Sequence, residues 1–111
     1  MKYPARLSYA RDKFKYAVYL LAVGPENVRS RLKNAFIEFR HVREEDIPDD
    51  LLKDFRWIIR EIKKRKPLVK EGIVIANKRM QNRTGVKIAE RIYNLAMRLE
   101  GYYDQQMKER A

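Results

Sequence analysis

The chain is punctuated in only a few places, and between the breaks its apolar residues recur every three or four positions. Gly24-Pro25, Ile47-Pro48 and Lys66-Pro67 are stop signals, and the region around Gly85 is a fourth. The sustained apolar–polar alternation that a half-buried strand requires is absent. This pattern predicts an all-α fold: a single-domain four- or five-helix bundle over residues 1–111, beginning with an antiparallel helical hairpin. With 45% apolar residues, one core can be built without covalent staples.

The spacing predicts helices over about 4–23, 26–40, 48–66 and 85–108, with a further short helix at 73–80. The first turns Leu7, Ala10, Phe14, Ala17, Val18 and Leu21 inward. In the second, Pro25 suits the first helical position because its φ is already fixed, and Val28, Leu32, Ala35, Phe36 and Phe39 form the inner face. The third buries Leu51, Leu52, Phe55, Ile58, Ile59 and Ile62. Asp49 and Asp50 in its first turn and Lys63 to Lys66 in its last oppose the helix macrodipole at each end. The last helix carries Ile88, Ala89, Ile92, Leu95, Ala96, Leu99 and Tyr103 on one side.

The residue inventory removes most catalytic chemistry. Cysteine is absent, which excludes disulfides, thiolate metal sites and thiol nucleophiles. Histidine occurs once, at His41, and the aliphatic hydroxyls are Ser8, Ser30 and Thr84. Glu38 and His41 form one Glu-x-x-His unit, but a carboxylate-bridged metal site in a bundle needs two, and both residues point away from the Val28–Leu32–Phe36 face. The chain is therefore read as non-enzymatic, with no catalytic residues, metal or cofactor. Nor is Gly24-Pro25 the turn of a DNA-reading helix-turn-helix, which needs three or four residues between crossing helices.

Charge is the stronger functional signal. Twenty-six Lys and Arg against fifteen Asp and Glu give +11, an excess that favours polyanions. It is divided into three blocks: +7 over residues 1–43, −5 over 44–54 and +9 over 55–111. The acidic island Glu44, Glu45, Asp46, Asp49, Asp50 lacks the alternation and glycine of a calcium loop. It serves a helix N-terminus, or it faces a basic surface within the fold or on a second copy.

Trp57 falls almost opposite Leu51, Phe55, Ile58 and Ile62, among Lys53, Arg56, Arg60 and Lys64. A tryptophan ringed by cations fits a stacking platform for a base, with the cations on phosphates; the plainer use is packing under residues 67–84 or against a partner. Lys87, Arg91, Asn94 and Arg98 form a second polar stripe, opposite the apolar face of the last helix. On the same helix Val86, Tyr93 and Met97 make a second apolar flank, which predicts either a fifth helix or a homodimer.

The expected binding residues are thus Trp57, Lys53, Arg56, Arg60, Lys64, Lys87, Arg91 and Arg98. The leading expectation is a basic helical module that contacts RNA or DNA through backbone phosphates. The alternative is a protein-interaction or accessory subunit, homodimeric or bound to an acidic protein, with no nucleic-acid role. No stretch approaches the roughly 18–20 apolar residues of a membrane span. Arg11, Asp12, Lys13 and Lys15 make a leader peptide of the first helix implausible, so a cytoplasmic location is expected.

Overall fold

The computed structural model describes residues 3–64, 68–70, 73–76 and 81–111. Four helices pack together: α1 (Leu7–Val23), α2 (Val28–Phe39), α3 (Leu52–Lys64) and α4 (Asn82–Arg110). Two single 3₁₀ turns, Glu44–Asp46 and Asp49–Leu51, link α2 to α3. Strands β1 (Leu68–Lys70) and β2 (Ile73–Ala76) lie between α3 and α4.

α1 stops where the chain turns extended at Gly24, whose N–H still donates to the Leu20 carbonyl at 2.9 Å. A Cβ at Gly24 would sit 2.6 Å from that carbonyl oxygen, so this close approach requires glycine. Helix α2 then starts three residues later than Pro25 alone suggests. The Asn27 side chain accepts the Ser30 N–H at 3.2 Å, an N-cap that puts the first helical residue at Val28. Glu26 bridges the two helices in a left-handed conformation (φ 67°), and its carboxylate accepts the Ser30 hydroxyl at 2.9 Å.

The periodic faces read from the sequence lie inward. Leu7, Ala10, Phe14 and Ala17 of α1, Leu32, Ala35 and Phe39 of α2, Phe55 and Ile58 of α3, and Ile88, Ile92, Leu95 and Leu99 of α4 are buried together. Phe14 is the centre, stacked on Phe39 at 4.5 Å and edge-on to Phe55 at 6.1 Å. Such ring pairs contribute about 0.5–1.5 kcal/mol each beyond the area they bury. Val42, Ile47 and Leu51 close the core from outside the four helices. α1 and α2 meet at both ends of their contact: Arg31 reaches the Leu21 carbonyl near the link, while Lys13 pairs with Glu38 further away.

Two further expectations are corrected. The third helical segment does not begin as α-helix at residue 48: Pro48 precedes a 3₁₀ turn, and α3 starts at Leu52. The short helix expected at 73–80 is replaced over Ile73–Ala76 by β2, which pairs antiparallel with β1 (Val69 with Val74, Lys70 with Ile73). The β-branched run Ile73-Val74-Ile75 explains the outcome, since branching at Cβ costs side-chain freedom in a helix and suits a pleated strand. Residues 77–80 of that expected helix lie outside the described residues, as do 65 and 66 at the expected end of the third.

Candidate nucleic-acid interface

The acidic island is the hub on which the polar surface is organised. Asp46 is the only charged residue buried among those described, at 1% exposure. Its carboxylate accepts the Arg43 N–H at 2.9 Å and faces Arg6, just before α1, at 3.6 Å. Glu44 binds Arg56 on α3, and Glu45 pairs with Arg43 at 3.3 Å. Asp50 accepts the Tyr102 hydroxyl of α4, which pushes that phenol above its ordinary range. Asp50 and Asp54 then hold Arg98, at 3.8 and 3.5 Å, and Asp54 also faces Arg91 at 3.6 Å. The island faces basic groups within the fold, tying the 3₁₀ turns to α3 and α4 and to Arg6 before α1, and Asp49 and Asp50 also occupy the first turn of the 3₁₀ segment that leads into α3.

A second clamp joins α1 to α4. Arg11 grips Glu100 with two guanidinium nitrogens, bonds Asp12 at 2.8 Å and lies over the Tyr103 ring at 4.6 Å. The bonds from Arg11 hold the Glu100 carboxyl below the usual carboxylate range.

The expected binding residues separate into three groups against this network. Arg56, Arg91 and Arg98 are engaged by carboxylates, and Lys64 has a loose i,i+3 partner in Glu61 at 3.7 Å. Lys53, Arg60 and Lys87 are exposed. Trp57 is half-buried at the edge of the core, and the Arg91 guanidinium lies 4.7 Å from the ring centroid, over one face. That face is filled from within the molecule, so a base cannot stack on it. Trp57 thus fixes the position of a cation, a role the α3 sequence alone did not reveal because Arg91 lies 34 residues away.

What remains on the water-facing side of α3 is a row of cations. At about 100° per residue, Lys53, Arg56, Arg60, Lys63 and Lys64 fall within about 100° of one another, opposite the buried Phe55 and Ile58. Lys53, Arg60 and Lys63 make no ion pair with a described residue. Lys53 and Arg60 stand two turns apart, about 10 Å along the axis. Lys63 is outside the expected binding set, although it belongs to the basic run Arg60, Lys63, Lys64, Arg65, Lys66, Lys70, the densest positive patch of the sequence.

A different surface lies on the far side of α4. Val86, Tyr93 and Met97 are 46%, 51% and 55% exposed, and Val86 and Tyr93 border a shallow depression with Val28 of α2, Ala89, Glu90 and Asn94. The α1 surface adds a stacked pair of exposed tyrosines, Tyr16 and Tyr19, at 5.5 Å. Glu38 and His41 are spent separately: Glu38 on Lys13, and His41 on the Arg40 guanidinium at 3.1 Å. Among the described residues no three carboxylate or imidazole groups converge as metal ligands would. No helix among them is long and apolar enough to cross a membrane. No family model, no curated protein and no solved structure matches the chain.

Proposed function

We propose that this protein is a non-catalytic binding module that contacts the phosphate backbone of RNA or DNA through the outer face of α3. One observation carries the reading: among the described residues Lys53, Arg60 and Lys63 stand in a row, exposed and without carboxylate partners, while Glu44, Asp50 and Asp54 are engaged within the molecule by Arg56, Tyr102, Arg91 and Arg98. Phosphate contacts dominate such binding, because neutralising each phosphate releases condensed counterions; selectivity is shape-based at most. α1 and α2, taken as an antiparallel hairpin, form with α4 the rigid support on which α3 is displayed. The test is fluorescence anisotropy of a labelled mixed-sequence RNA with the Lys53→Glu/Arg60→Glu/Lys63→Glu variant. The expected result is a salt dependence shallower by about three in log–log slope, with helicity unchanged. An unchanged slope removes this face from the function.

A second reading rests on a different observation, the exposed Val86–Tyr93–Met97 flank. Large side chains in a row at helical spacing are what a protein interface presents, and a second copy is the commonest partner. Light scattering of the wild type and of Tyr93→Glu decides its homodimeric form: a dimer that the substitution dissociates supports it, and a monomer at all concentrations ends it.

A further inference from the structure

Where α3 faces α4, a cleft of about 430 Å³ opens between Asp54, Arg91, Asn94, Met97 and Arg98. Arg91 and Arg98 are seven residues apart, hence on one side of α4, and both lean toward the same carboxylate. Their distances to Asp54 are 3.6 and 3.5 Å, and the second contact of Arg98, to Asp50, is 3.8 Å. A charge-assisted N–H···O bond is nearer 2.7–2.9 Å, so these are ion pairs at arm's length whose donors are not consumed. Both guanidinium side chains are about half exposed, at 49% and 51%. The Trp57 ring beneath Arg91, 4.7 Å from its guanidinium carbon, restrains that side chain, which lowers the entropy lost when it binds a second anion. Asn94 adds an amide at the cleft wall.

A carboxylate held between two guanidiniums occupies the place a phosphate would take, since both present oxygens to the same planar donors. We infer that this cleft is a phosphate subsite of the nucleic-acid surface, and that Asp54 is its internal competitor, neutralising Arg91 and Arg98 until a backbone phosphate displaces it. The inference rests on the nucleic-acid reading above and extends it around α3 from the outer face to the α4 flank. Asp54 would make the module less adhesive to any passing polyanion, because a phosphate must compete with a tethered carboxylate for the same two cations. Asp50, which also accepts the Tyr102 hydroxyl, stands further from Arg98 at 3.8 Å and makes no ion pair with Arg91, so Asp54 is the carboxylate shared by both guanidiniums.

The experiment measures anisotropy of one labelled single-stranded RNA at about 50 and 200 mM salt with wild type, Asp54→Asn and Arg98→Gln. The asparagine keeps the shape and removes the competing charge. It should tighten binding about tenfold at the lower salt and steepen the log–log slope by about one, while Arg98→Gln weakens binding and flattens the slope by about one. A wild type that binds with neither variant changing its slope overturns the subsite and leaves the α3 reading intact. A wild type and Asp54→Asn that both fail to bind at the lower salt overturn the nucleic-acid reading, and the subsite with it. Thermal melts accompany each variant; were Asp54→Asn to unfold, the slope of Arg98→Gln alone decides.

Discussion

The two flanks of α3 carry the same kinds of residue and use them in opposite ways. Toward α4, Asp50 and Asp54 meet Arg91, Arg98 and Tyr102, so charge is balanced inside the molecule. Toward water, Lys53, Arg60 and Lys63 have no counter-charge among the described residues. Within its thirteen residues α3 thus carries a self-paired flank and an unpaired one about 100–180° apart around the helix axis. What decides the use of a charged residue here is the element it faces and not its own type: Arg91 and Arg60 look alike in sequence, and only the first has a carboxylate across from it.

The largest effect should come from the side of α3 that neither flank uses. Ile58 is fully buried between the helices, and Ile58→Ala should cost about 2–5 kcal/mol through lost burial and a residual cavity. Arg60→Ala, two residues on but facing water, should change stability by less than about 0.5 kcal/mol. Urea unfolding of the two variants measures the contrast; similar losses would show that the outer face is structural.

Next in size is the root of the seam. Asp46→Ala strands the Arg43 N–H and removes the partner of Arg6, so denaturant unfolding should show a loss of about 1–3 kcal/mol. A neutral result would mean the island is held by its surface pairs alone.

How far these features could be read in advance follows from their range along the chain. The inner faces of all four helices are local patterns, so three- and four-residue spacing located Phe14, Leu32, Ile58 and Ile92 without knowledge of the packing. The start of α2 was misplaced because a proline and an asparagine compete over three residues, and the hydrogen bond from Ser30 to Asn27 decides in favour of the asparagine. Strand β2 was misread because a four-residue apolar run fits either period. The seam was out of reach for another reason: Asp54 and Arg98 are 44 residues apart, and nothing local marks one as the partner of the other. For the same reason the sequence placed Trp57 among the cations of its own helix, while the cation on its ring comes from α4.

The smallest predicted effect concerns pH, and it brackets the clamps that hold α4. The Glu100 carboxyl is lowered by Arg11, so its contribution to stability is present above the ordinary carboxylate value of 4.5 and is lost as pH falls through the folded value. The Tyr102 phenol is raised by Asp50, so its contribution is present below its ordinary value of 10.0 and is lost as pH climbs through the folded value. Melting temperature should therefore be level across neutral pH and decline at both ends, with Arg11→Gln softening the acid decline and Tyr102→Phe the alkaline one. Unchanged profiles in these variants would detach the two clamps from stability.

The most direct test of the central claim is the salt dependence of nucleic-acid affinity for the wild-type protein. Labelled RNA and DNA are titrated at about 50 and 200 mM salt. A face that neutralises several phosphates predicts tight binding at low salt, a steep loss on the order of a hundredfold or more, and measurable binding at the higher salt. Weak binding that vanishes at the higher salt would mean that the +11 charge is generic, and that the exposed Val86–Tyr93–Met97 flank is the surface to pursue.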